Sequence, residues 1–97
     1  MECWPFADPT NVVTLTVRQI VYDGDPILLV SHDEADGMWQ FLTGKNVEMA
    51  DAMLVGLQAV YKLDPTIAEL ADLPLGWQAF RSKVDEPWKR HPRESSE

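Results

Sequence analysis

Cysteine is nearly absent from this chain of 97 residues, in which Cys3 is the only one. A single thiol forms no internal disulfide and leaves too few sulfur ligands for a structural zinc site. Histidine is also scarce: the sequence contains two, His32 and His91. This shortage of ligands predicts that the protein holds no metal, and no other cofactor is predicted, since the sequence has no Gly-rich phosphate loop. The lack of disulfides is typical of the reducing cytoplasm.

Long apolar runs are missing as well. No stretch approaches the roughly 18 apolar residues that a membrane-spanning helix needs. The first five residues, Met-Glu-Cys-Trp-Pro, lack the basic start and the apolar run of a secretory signal. These absences predict a cytoplasmic protein without a membrane partner.

Basic residues are few, with eight Lys and Arg against 16 Asp and Glu and a formal net charge of -8. Binding to nucleic-acid phosphates needs a basic surface, so this balance excludes a nucleic acid as the expected partner. Residues 1–80 contain twelve of the acidic and three of the basic side chains. The negative charge of residues 1–80 would attract a basic protein partner. The alternative is that this charge only keeps the protein soluble.

The composition itself is that of a small folded domain, with 45% apolar and 25% charged residues. We predict the α+β class: an antiparallel sheet of about three strands packed on one main helix, followed by a short helix and a flexible tail. The single domain is predicted over residues 1–84. Prolines, charges and serines leave little to bury in residues 85–97, which predicts a polar tail there.

Three segments have the patterns of strands. Residues 12–22 begin with alternating apolar and threonine positions, and a Gly-containing turn cluster at 23–26 predicts a hairpin to a second strand at 27–30. Residues 38–42 predict the third strand. An uncovered edge strand, such as residues 12–21, would pair with its own copy, so the sequence allows a monomer or a homodimer.

Helical spacing follows the third strand and predicts the main helix over residues 48–62, with Asn46 as its N-cap. The apolar positions that define this spacing are Met53, Leu54, Leu57, Val60 and Tyr61. Asp64 and Pro65 are a second start signal, for a short helix that ends before Pro74. One more helical turn is predicted at 78–83.

The densest polar group lies between the second and third predicted strands and consists of His32, Asp33, Glu34 and Asp36. An EF-hand loop is excluded, because it would begin at His32 and would have Thr43 in place of the twelfth-position Glu. Ser31 and His32 are neighbours whose side chains point to opposite faces of a strand, so they form no nucleophile and base pair. We therefore predict that the protein is not an enzyme, and that this acidic loop either binds a partner or is simply solvated.

Tryptophan supplies further candidates for binding. Trp39, on a strand, is expected in the core, and Trp4 is expected to cover a face of the sheet. Trp77 and Trp88 follow turns or polar residues and are candidate exposed anchors. The predicted partner-binding residues are therefore His32, Asp33, Glu34, Asp36, Trp77 and Trp88.

Several of these segments also resemble a known family. The segments are Asp36-Gly37-Met38-Trp39-Gln40-Phe41, Gly44, Asp64-Pro65-Thr66-Ile67 and Asp72-Leu73-Pro74-Leu75-Gly76. Their order and spacing over residues 10–82 resemble the bacterial proteins of domain of unknown function 2185, proposed immunity proteins of polymorphic toxin systems. The resemblance implies a protein that binds and neutralises a toxin, and it implies no catalytic residues.

The sequence thus leads to a non-catalytic protein-interaction domain, for example an immunity protein. The alternative is a small ligand-binding or accessory domain. In that alternative, a pocket bordered by Trp39, Tyr61 and Trp77 would hold an apolar or aromatic molecule.

Overall fold

The computed structural model describes residues 4–46 and 48–93, and its strands form a single mixed sheet. The strands are β1 (Val13–Val17), β2 (Leu29–His32), β3 (Trp39–Leu42), β4 (Ala52–Gly56), β5 (Trp77–Phe80) and β6 (Lys89–Pro92). Their order is β4-β1-β3-β2-β5-β6. Strands β1 and β3 are parallel, and every other neighbouring pair is antiparallel. Cys3, and residues 94–97 of the predicted tail, lie outside the described residues.

The helices in this part of the chain are short. They are α1 (Arg18–Val21), α2 (Leu57–Leu63) and two 3-10 helices, Met49–Asp51 and Pro65–Leu70. Asp64 caps the second 3-10 helix as predicted, since its Oδ1 accepts a hydrogen bond from the Thr66 N–H at 3.0 Å. This helix also ends before Pro74.

The predicted fold, three antiparallel strands on one main helix, is wrong. Residues 48–62 do not form one helix, because Ala52–Gly56 form β4 and pair with β1 over five residues. The apolar positions of this segment match both a helical and an extended pattern, and such short runs are ambiguous from periodicity alone. Pairing with β1 decides the conformation, and α2 keeps only seven residues.

The first predicted strand is also shorter and lies elsewhere in the sheet. It ends at Val17, and Arg18–Val21 turn into α1, where Ile20 is buried. Because β3 lies between β1 and β2, residues 23–26 do not connect a hairpin. Strand β1 has a neighbour on each side, so the prediction of an edge strand at 12–21 is wrong as well.

The carboxyl-terminal part of the chain contributes two further strands. The helical turn predicted at 78–83 is instead β5, and Lys89–Pro92, within the predicted tail, form β6. Arg90 links β6 to the second 3-10 helix by hydrogen bonds to Asp72 and to the Glu69 carbonyl. These contacts between residues distant in sequence stabilise β6, and local composition does not reveal them.

The two faces of the sheet differ in what covers them. The core face carries Val30, Trp39, Phe41 and Ala79, which are buried under α2, the second 3-10 helix and the amino-terminal segment. The opposite face, called the open face below, is partly exposed. Strand register places on it Val13, Leu15, Val17, Leu29, Ser31, Gln40, Leu42, Ala52, Leu54, Gly56, Gln78, Phe80, Lys89 and His91.

Candidate protein-binding surface

The predicted partner-binding residues do not form one cluster. His32 and Trp77 lie opposite each other in β2 and β5, at one end of the sheet. Trp88 lies just before β6, beside the end of β5 that is remote from Trp77. The structure therefore brings His32 and Trp77 together and separates both from Trp88.

His32 has the contacts of a structural residue. Its ring stacks on Trp39, with centroids 3.8 Å apart and an interplanar angle of 11°. Its Nδ1 lies 2.8 Å from the carbonyl oxygen of Leu73, and its own carbonyl accepts a hydrogen bond from the Gly76 N–H. The half-buried imidazole thus joins β2 to the segment that leads into β5.

Two carboxylates of the acidic loop stabilise the loop itself. Asp33 Oδ1 accepts from the Ala35 N–H at 2.8 Å, and Asp36 Oδ1 accepts from the Met38 N–H at 2.9 Å. Such bonds to the residue two positions ahead are typical of Asx turns. Glu34 is exposed and, among the described residues, its carboxylate makes no hydrogen bond. Glu34 therefore takes no part in the hydrogen bonds of the loop, and its side chain lies near Gly76.

Trp88 packs on a buried arginine that follows β5. The Arg81 guanidinium carbon lies 4.0 Å from the centroid of the Trp88 ring, which favours a cation–π contact. Trp88 is half-buried, so its first role is to cover Arg81.

Arg81 is only 4% exposed, and all five of its N–H groups have acceptors. It forms an ion pair with Asp64 at 2.8 Å, and it donates to Thr66 Oγ1 and to the carbonyls of Ile27 and Val84. A buried charge needs such complete pairing. The sequence indicates little of this cluster: Arg81 follows an apolar segment, and Asp64 is predicted as a helix cap.

On strand β1 the threonines point to the core face and the valines and Leu15 to the open face, where Val17 is buried and Val13 and Leu15 are not fully buried. Thr14 and Thr16 are fully buried, and their hydroxyls donate to the carbonyls of Val55 and Phe41 at 3.0 and 2.8 Å. Val13 and Leu15 point to the open face instead, and Val13 is 51% exposed. A strand with a single solvated face normally turns its apolar side chains inward. Strand β1 departs from this pattern at Val13 and Leu15, which add exposed apolar area to the open face.

The rest of the open face extends this apolar surface. Leu54 on β4 is 66% exposed and Phe80 on β5 is 41% exposed, with half-buried Leu29 and Leu42 between them. The Phe80 ring meets His91 edge to face, with centroids 5.6 Å apart. Beside Phe80 lies a cavity of about 400 Å³ that also contacts Leu29 and the Thr43–Lys45 turn. Lys45 and the buried Arg81 also line this open depression.

The molecule as a whole is acidic, although Lys45 and Lys89 lie beside Phe80 at the open face. Within residues 4–46 and 48–93 there are two ion pairs, Arg81 with Asp64 and Arg90 with Asp72. The hydrogen bond from Arg90, helped by its positive charge, lowers the pKa of Asp72 below its ordinary value of 3.8. Most of the other carboxylates have no cationic partner in this part of the chain, so the surface potential is negative.

Aromatic packing occupies the region predicted to border a ligand pocket. Trp39 is 1% exposed and packs against Phe6 at 5.4 Å, while Trp4 packs against Tyr61 at 5.6 Å, so aromatic rings fill the space next to Trp39 and Tyr61. Among the described residues, no three His, Cys, Asp or Glu side chains are grouped to hold a metal ion. The helices described here are all too short or too polar to cross a membrane.

Comparison with known proteins gives no match: no family model, no curated protein and no solved structure is similar to this chain. The resemblance to the immunity proteins thus depends on the motif residues alone.

Proposed function

We propose that this chain is a non-catalytic protein-interaction domain that binds a basic protein through the open face of its sheet. The exposure of Val13 and Leu15 on strand β1 is the observation that supports this proposal most strongly. Burying two threonines while Val13 and Leu15 point outward exposes apolar area that the fold could have covered. Exposed apolar patches of this kind are typical of protein contact surfaces.

The charge of the molecule indicates the chemistry of the partner. With a net charge of -8, the protein attracts a basic surface and repels an acidic one. The apolar centre would supply affinity, and the net negative charge of the molecule would supply rate and selectivity. The motif resemblance narrows the partner class to a toxin that this protein neutralises.

The experiment starts with capture from lysate of the native organism, using the tagged protein at low and high salt. Each captured basic protein is then purified and its binary affinity is measured by calorimetry. Phe80→Ala removes the aromatic ring beside the cavity, and we expect it to weaken binding by about 2 kcal/mol, the size of an interface hot spot. Tyr22→Ala is the matched control, because Tyr22 is 69% exposed and lies outside the sheet.

The acidic loop is tested in the same assay. Glu34→Gln removes a charge without removing a hydrogen bond of the loop, and we expect it to slow association slightly. A partner whose affinity depends on Glu34 and not on Phe80 would move the binding surface to the acidic loop. If no binary partner is found at any salt concentration, the proposed function is wrong.

A further inference from the structure

The outer edge of β4 is unpaired within residues 4–46 and 48–93, since β1 is its one neighbour in the sheet. The Leu57 N–H donates to the Val12 carbonyl at 2.9 Å, which makes residues 12 and 57 a hydrogen-bonded pair. Bonded and non-bonded pairs alternate along antiparallel strands. By this alternation the backbone groups of Met53 and Val55 form hydrogen bonds with β1. The backbone groups of Leu54 and Gly56 on this edge point away from β1 and are called outward below.

These outward groups are self-complementary. Leu54 offers both an N–H and a carbonyl, Gly56 offers an N–H, and Ala52 offers a carbonyl, because its own N–H already bonds to Met49. If a second copy lies antiparallel with Leu54 opposite Leu54, each Gly56 N–H meets an Ala52 carbonyl. Every outward donor of the strand then has an acceptor on the other copy.

The strand also lacks the features that protect exposed edges. Residues 52–56 read Ala-Met-Leu-Val-Gly, without a charge or a proline. Charged side chains, prolines and bulges are the usual means of preventing edge pairing. An antiparallel arrangement additionally places the acidic residues Glu48 and Asp51 of the two copies at opposite ends of the contact.

We propose that two copies of this chain pair through β4 around a two-fold axis at Leu54, forming one continuous sheet. The two Leu54 side chains then lie opposite each other on the joined open face, which reduces their exposure. Because each copy carries a charge of -8, salt should strengthen this association. Binding of a basic partner should respond to salt in the opposite direction, so the two proposals can fail separately.

Gly56 provides a matched pair of variants. Its φ of -70° is compatible with proline, and a Cβ there would meet its nearest atoms at 3.9 Å. Gly56→Pro removes the outward N–H and places a ring carbon on the edge, whereas Gly56→Ala keeps the N–H. Sedimentation equilibrium over a range of protein concentrations should show wild type and Gly56→Ala dimerising alike. Loss of two hydrogen bonds per dimer should raise the dissociation constant of Gly56→Pro about tenfold to a hundredfold.

A second variant keeps the test decisive if Gly56→Pro does not fold. Leu54→Lys places two like charges opposite each other at the axis, which disfavours pairing. Phe80→Lys introduces the same charge on the open face, but far from β4. The Phe80→Lys variant should therefore dimerise as the wild type does. A wild-type protein that stays monomeric at all concentrations would overturn the proposal. Equal dimerisation of Leu54→Lys and Phe80→Lys would overturn it as well.

Discussion

The two outer strands of the sheet, β4 and β6, differ in composition and in their contacts with the rest of the molecule. Strand β4 is uncharged and, among the described residues, pairs only with β1, whereas β6 reads Lys-Arg-His-Pro and is linked to the second 3-10 helix through Arg90. The Arg93 N–H bonds to the Gly76 carbonyl, so Arg90 and Pro92 have their backbones directed outward. Proline offers no N–H there.

This difference indicates a division of roles across the sheet. The β6 side contains the described ion pairs and the Arg81 cluster, which connect segments far apart in sequence. The β4 side contributes Leu54 and, with β1, Val13 to the exposed apolar surface. We interpret the first side as the source of stability and the second as the side open to association.

The largest effect is expected from Arg81. Arg81→Met leaves the half-buried Asp64 carboxylate without its cation and leaves the Ile27 carbonyl without its two donors. Removing one partner of a buried ion pair typically costs about 3–5 kcal/mol. The free energy of unfolding, measured by urea denaturation, should fall by that amount.

Lys83→Met is the control, because it removes an exposed basic residue from the same segment. It should change stability by no more than about 0.5 kcal/mol. If Arg81→Met behaved like Lys83→Met, the β6 side would not be the source of stability.

A smaller effect is expected from Asp72, whose pKa Arg90 lowers in the folded state. A group with a lowered folded pKa contributes stability at pH values above its unfolded pKa of about 3.8, and this contribution disappears as the pH falls through the folded value. Asp72 is exposed, so the effect is modest.

The measurement is the free energy of unfolding of wild type and Asp72→Asn as a function of pH. The difference between the two proteins should be present at neutral pH and should vanish in strong acid. A difference that is independent of pH would contradict the assigned role of the Arg90–Asp72 pair.

Local signals in the sequence identified some parts of this structure. Asp64 and Pro65 start a helix through their own chemistry, and the alternating aromatic residues of β3 identify a buried strand. The apolar spacing of residues 52–56 fits the period of a helix as well as that of a strand, so the helix predicted from the sequence is wrong here. Pairing with β1 selects the strand. Strands β5 and β6 depend on contacts with residues far away in sequence, which composition does not reveal.

The candidate surface was also hard to predict from the sequence, because it depends on contacts between residues far apart in the chain. The alternation in β1 was visible, but its direction was not, because the burial of Thr14 and Thr16 depends on carbonyl acceptors at Val55 and Phe41. Trp77 and Trp88 stood out as large aromatic residues near the end of the chain, yet Trp88 covers Arg81, which was not recognised as a buried residue. The function suggested by the motif resemblance remains a prediction.

Amide hydrogen exchange, measured by NMR at low and high protein concentration, tests the contrast between the two edges most directly. The amides of Leu54 and Gly56 should exchange more slowly as the concentration rises, while those of Met53 and Val55 are protected throughout by β1. The outward amide of Arg90 on β6 should show no dependence on concentration. Concentration-dependent protection of Arg90, or its absence at Leu54 and Gly56, would contradict the account.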